Sequence, residues 1–128
     1  MIRREALTLK NHSTDTLIEL RDAIRVFTQE RDWDQFHTPK NLAASISIES
    51  GELLEQFQWL QKGAASELGE VRLTEVRHEM ADVLVYLIRL ADKLDIDLAS
   101  AVVEKLELNR AKYPVDKVKG DARKYDEY

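Results

Sequence analysis

TEVRHEMADVLVYLIRLADKL, residues 74–94, decides the fold. From Val83 onward it is apolar around most of its circumference, so it reads as the central, most buried helix of its domain and requires other helices to cover it. The flanking sequence supplies them. Between Thr14 and about Arg31, Leu17, Leu20, Ile24 and Phe27 recur every three or four residues beside polar Glu19, Arg21 and Asp22, which predicts an amphipathic first helix. RDWDQFHTPK (31–40) interrupts that pattern. Thr38 followed by Pro39 then gives a hydroxyl cap with proline at the first helical position, the start of a second helix. It is predicted to run through NLAASISIESGELLEQFQWL (41–60) and to stop before Gly63, with Leu42, Ile46, Leu53 and Phe57 in the core. KGAASELGEVRL (62–73) reads as a surface connection or short helix, with the third helix starting near Thr74. After the turn at DID, Asp97 is placed to cap a fourth helix, LASAVVEKLELNRAKY (98–113), which must end where Pro114 follows.

The reading is thus all-α, a four-helix bundle in one domain over residues 1–128, with its core completed by oligomerisation. Four Gly and two Pro leave few interruptions, and 34% charged residues suit helices better than a turn-rich β fold. The charged tail from about 115 to 128 is too polar to build a core; it is expected to be flexible or to pack over a neighbouring subunit or site through its tyrosines and basic residues. MIRREALTLKNH at the start has no uninterrupted apolar run, and the chain has no cysteine. The expectation is a soluble, cytoplasmic protein without disulfides or cysteine-ligated zinc. A formal charge of −5 argues against a nucleic-acid backbone as partner, so a phosphate ligand is expected to arrive with metal ions.

Against this background some carboxylates are out of place. Glu49 and Glu52 on the second helix, and Glu79 and Asp82 on the third, are spaced i, i+3 on faces that the pattern otherwise makes apolar. Two such helices packed together bring four carboxylates to one place, and that array repels itself unless it is protonated or neutralised. Oxygen ligands without cysteine or paired histidine favour Mg²⁺, with Mn²⁺ as substitute, over zinc. The ordinary fate of an ExxE or ExxD pair is a solvated surface; the two pairs together, the second abutting VLVYLI, are what point to metal. Gly51 lies between the two glutamates at a cost of up to about 1 kcal/mol relative to Ala, which fits close approach of a ligand or of another helix.

The text around these acids is more specific than the acids themselves. ERDWDQFHTPKNLAASISIESGELLEQFQWL, EVRHEMADVLVYLIRLADKLDIDLASAV and KLELNRAKYPVDKVKG, with ExxE, 26 residues and ExxD, resemble the MazG-like all-α NTP pyrophosphatases, in particular their dCTP pyrophosphatase branch. The resemblance implies a homodimer or homotetramer with sites near subunit interfaces, and hydrolysis of a nucleoside triphosphate to the monophosphate and diphosphate by attack at the α-phosphorus. It implies Glu49, Glu52, Glu79 and Asp82 as Mg²⁺ ligands, with Glu49 or Glu52 as general base. It places Lys105 and Asn109, which share a helical face, near the nucleotide, with Lys112 and Tyr113 extending that patch. Trp33, Trp59 and Tyr86 become candidates for holding a pyrimidine, and His37 for contacting ligand or bracing its loop. Without the resemblance, the aromatics read as core or interface residues and Lys105 as a solvated lysine. One departure bears on the base: the first helix offers Ile24 and Phe27 where the resemblance implies a substrate-facing stretch, whereas some relatives carry a polar ring near Ile24. The alternatives are a broad house-cleaning pyrophosphatase with the same acids, and a non-catalytic helical oligomer that binds metal or nucleotide.

Overall fold

The computed structural model describes residues 15–122; the amino-terminal segment, Thr14 and the tail tyrosines Tyr125 and Tyr128 lie outside them. Among the described residues there is no strand. Helices α1 (Asp15–Glu30), α2 (Pro39–Glu55), α3 (Ala65–Lys93), α4 (Leu98–Lys112) and α5 (Val115–Val118) follow in order, with a 3₁₀ turn at Asp34–Phe36. The all-α expectation is met. The chain divides into two compact units between Ile96 and Asp97, the first holding α1 to α3 and the second α4 and α5.

In the first unit, α1 and α2 both pack on α3. The buried residues are Ala23 and Thr28 of α1, Leu42 of α2, and Val76, Ile88, Arg89 and Ala91 of α3. Thr28 is buried without penalty because its hydroxyl donates to the Ile24 carbonyl at 2.8 Å. Leu42 is 1% exposed, as its place in the pattern predicts, whereas Ile46, Leu53 and Phe57 are half-buried. The expectation for α3 as the most buried helix holds only in part. Leu84, Val85 and Leu87 keep 39–41% of their surface, because α1 and α2 cover only part of its circumference within this unit.

The starts of the elements follow local chemistry. Thr38 Oγ1 accepts from the Asn41 amide at 3.2 Å, and Pro39 occupies the first helical position. Helix α2 ends earlier than its apolar pattern suggests, and FQW (57–59) lies in turns instead. There the Gln56 amide bonds the Leu53 carbonyl (3.2 Å) and the Phe57 amide the Leu54 carbonyl (2.9 Å), so the helix tightens as it stops. Gly63 completes the reversal at φ +73°, where an added Cβ would lie 2.6 Å from Phe57 Cδ1. Helix α3 starts at Ala65, well before Thr74. The reason is Gly69, whose φ of 73° and ψ of 171° join a short first piece to the long second one across a kink.

In the second unit, the Asp97 carboxylate accepts from the Ser100 amide at 3.1 Å and caps α4 as expected. The helix closes before Pro114 with the Tyr113 amide on the Asn109 carbonyl at 2.8 Å. The first part of the tail forms α5 rather than remaining irregular. No helix among the described residues is long and apolar enough to cross a membrane.

Candidate active site

The i, i+3 spacing on two packed helices does what it predicts. Glu49 from α2 and Glu79 and Asp82 from α3 each bring a carboxylate oxygen to within 4.8 Å of the others. Glu52 is not part of that tightest group, yet it lies close enough to perturb both Glu49 and Glu79. Glu49 Oε2 and Glu79 Oε2 are buried with no hydrogen-bond partner among the described residues.

Burial pushes the Glu49 carboxyl up to about 7, reinforced by Glu52, Asp82 and Glu79. Glu79 is raised by burial first, then by Glu52 and Asp82. Every charged group that moves these two is another carboxylate, so among the described residues no lysine or arginine neutralises the cluster. Two buried, unpartnered oxygens in an all-acidic setting are costly as they stand. A hard divalent cation is the partner whose charge and ligand preference match them. Glu49, Glu79 and Asp82 are the residues that would hold it, with Glu52 alongside.

Tyr86, one turn beyond Asp82, is half-buried, and its hydroxyl is raised by burial and by Glu49, Asp82 and Glu52. It therefore sits beside the acids, as the sequence suggested. Trp33 is partly exposed and meets Phe27 edge-on, with centroids 5.7 Å apart at 75°. The Arg31 guanidinium lies 3.8 Å from the Phe27 ring centroid. Trp59 is 88% exposed, so the reading of it as a core aromatic fails. Lys105, Asn109, Lys112 and Tyr113 belong to the second unit; Asn109 and Tyr113 are half-buried, Lys105 and Lys112 exposed. Gly51 faces open space, with nothing within 4 Å of an added Cβ.

The MazG-like family model matches residues 44–128, which include both acidic pairs. The dCTP pyrophosphatase 1 of Homo sapiens is 40% identical over 114 residues, covering 88% of this chain and 67% of that protein. The chain belongs to the MazG-like family. The dCTP pyrophosphatase 1 of Mus musculus is 41% identical over 113 residues, 86% of this chain and 66% of that one. The chain thus spans about two thirds of the length of these mammalian relatives. The crystal structure of a pyrophosphatase from Archaeoglobus fulgidus DSM 4304 is similar at 46% identity and a TM-score of 0.72, covering 84% of this chain and 99% of that one.

A second charged cluster in this MazG-like chain was not foreseen. Arg89, 6% exposed, donates from Nη2 to Asp34 Oδ1 (2.5 Å), from Nη1 to Asp92 Oδ2 (3.3 Å) and from Nε to His37 Nδ1 (3.1 Å). Arg25 of α1 donates to both oxygens of Asp92 in a bidentate pair, with Nε at 2.7 Å from Oδ2, the oxygen that Arg89 also engages. Lys93 also bonds Asp34. These pairs hold Asp92 and Asp34 below the usual carboxylate range, chiefly through Arg25 and Lys93 respectively. An arginine inside the apolar run VLVYLIRL, three residues before an aspartate, was the available signal. Its partners 52 and 55 residues away were not readable.

Proposed function

We propose that this protein is a divalent-cation-dependent nucleoside triphosphate pyrophosphohydrolase acting on dCTP or its modified forms in nucleotide-pool control. The observation that carries the reading is the pair of buried, unpartnered carboxylate oxygens on Glu49 and Glu79, in a chain similar to pyrophosphatases over most of its length. An all-oxygen donor set favours Mg²⁺, with Mn²⁺ as substitute. When bound, such a cation would neutralise phosphate charge and make water a better nucleophile. Glu49, Glu79 and Asp82 would hold the cation. Glu52, outside the tightest group, is the carboxylate left to orient the attacking water and accept its proton. The water oxygen bonds to the α-phosphorus, the bond from that phosphorus to the α–β bridging oxygen breaks, and diphosphate leaves.

Around this centre, Tyr86, Trp33 and Trp59 provide flat faces for the base, with His37 on the same segment as Trp33. Lys105, Asn109, Lys112 and Tyr113 bind phosphate or sugar. The active form is a homodimer or homotetramer, a reading supported by the apolar side chains that α2 and α3 leave exposed. The absence of cysteine and the net charge of −5 suit a cytoplasmic protein that does not bind nucleic acid.

Diphosphate release from a panel of standard and modified triphosphates, with Mg²⁺ and with EDTA, tests the reading. Cation-dependent preference for dCTP or a 5-substituted relative is expected. Broad cleavage would keep the reaction and discard the dCTP preference, an outcome that the lack of a polar ring near Ile24 makes the chief competitor. No cleavage by folded protein would leave only the binding oligomer.

A further inference from the structure

The cluster around Arg89 ties the segment between α1 and α2 to the last turns of α3, and all three kinds of guanidinium nitrogen are used in doing so. The Nη groups engage carboxylates, which accept in any orientation. Nε differs, because its partner is a ring nitrogen: His37 Nδ1 at 3.1 Å. An arginine is always protonated and only donates, so the Nδ1 facing it must be the acceptor and carry no proton. The single ring proton is then on Nε2, which has no protein partner among the described residues.

We propose that Arg89 is a positioning residue that fixes His37 as the neutral Nε2–H imidazole, so that the Trp33–His37 segment offers the nucleotide a hydrogen-bond donor rather than a cation. The inference rests on the reading above that this segment faces the substrate. Charge around the ring agrees with the geometry. Burial, Arg89 and Lys93 lower the imidazole's pKa, and of the charged groups facing it among the described residues only Asp34 acts the other way, its charge already engaged by Arg89 and Lys93. A donor on a segment that also carries Trp33 suits an oxygen on the nucleoside side, a base carbonyl or a sugar hydroxyl, where the aromatic face and the N–H act on the same moiety. Lysine cannot substitute at Arg89, since an ammonium lacks the planar fork that reaches Asp34, Asp92 and His37 together.

Nitrogen-15 spectra of the histidine rings in the full chain test this, with His37→Gln to assign the signal. In the unsubstituted protein, Nδ1 should be unprotonated and Nε2 protonated at neutral pH, and the ring should stay neutral below its ordinary pKa of about 6.5. A ring that carries its proton on Nδ1, or is cationic at neutral pH, overturns the proposal without need of any variant at Arg89. In Arg89→Lys and Arg89→Ala the titration should move back toward the ordinary value. KM for dCTP should rise about five- to tenfold with kcat little changed, and His37→Gln combined with Arg89→Ala should be no worse than either alone. An unmoved titration in both Arg89 variants would remove the positioning role. Adding dCMP should shift the His37 signals and adding inorganic diphosphate should not. The reverse would move the acceptor to the phosphates and overturn the nucleoside assignment, while no shift with either would remove the segment from the nucleotide site. That last outcome leaves the hydrolase reading standing, which the diphosphate-release panel tests separately.

Discussion

Glu49 and Asp92 are both carboxylates withdrawn from water, and the chain treats them in opposite ways. Asp92 is gripped by Arg25 and Arg89, so its charged form is favoured by folding. Glu49 meets only burial and other acids, so its protonated form is favoured instead. The sign of each pH effect follows from linkage. A carboxyl held below its ordinary pKa contributes stability that is present above the ordinary value and lost as pH falls through the lowered one. A carboxyl raised to about 7 contributes stability present below the ordinary value of about 4.3 and lost as pH rises through 7. Protein stripped of cations should therefore lose stability on both sides of about pH 5, and Mg²⁺ should raise the melting temperature more at pH 8 than at pH 5, since cation and proton compete for the same oxygens. Thermal melts with EDTA and with Mg²⁺ across that range check this; a Mg²⁺ effect independent of pH would separate the cation from Glu49. Glu52→Gln and Asp82→Asn should each lower turnover by about a hundredfold or more with unchanged helical circular dichroism. Full activity in either removes that residue from the chemistry. The acids were legible because i, i+3 spacing fixes a helical face without knowledge of the fold. Arg89 was not, because what satisfies a buried guanidinium depends on which distant segment returns to it.

Elements were legible where a local signal governs them. Thr38–Pro39 and Asp97 start α2 and α4 where a short side-chain acceptor meets orphan amides, a rule independent of tertiary context. Thr38→Ala should cost about 1 kcal/mol in chemical denaturation, and a change within error would mean that Pro39 and packing alone start the helix. The apolar spacing misplaced the end of α2 and the beginning of α3, because glycines there act through conformation. At Gly63 both conformation and space are restricted, since φ is +73° and Phe57 fills the place of a side chain. At Gly69 the same φ permits a kink where glycine would ordinarily suggest a stop. Gly63→Ala should accordingly destabilise by more than the ~1 kcal/mol typical of an exposed helical glycine change, and Gly51→Ala, which meets open space, should stabilise by about 0.5–1 kcal/mol. If Gly51 is kept open for a ligand or a second chain, that more stable variant will nonetheless have a higher KM or a weaker assembly.

For the whole molecule, the decisive feature is how much apolar surface the chain leaves uncovered. Ile48 and Leu54 on α2, and Val71, Met80, Leu84, Val85 and Leu87 on α3, are all exposed. The last three lie within the run VLVYLI, the most apolar stretch of the helix that decided the fold. Met80, Leu84 and Leu87 are spaced i, i+4, i+7 and share one side of α3, and an exposed apolar side of a helix is ordinary on a subunit, whose interface resembles a domain core cut in half. The acids at Glu79 and Asp82 lie on the same helix within two turns of Leu84, so if the proposed assembly uses this helix, its loss should reach the acidic cluster. Leu84→Glu should therefore shift the mass measured by light scattering toward that of one chain, about 14.8 kDa, and lower diphosphate release along with it. Raising the protein concentration should restore both together if assembly is the cause. A Leu84→Glu protein that remains oligomeric with full activity would place the interface elsewhere, whereas one that becomes monomeric and stays active would show that a single chain completes the site.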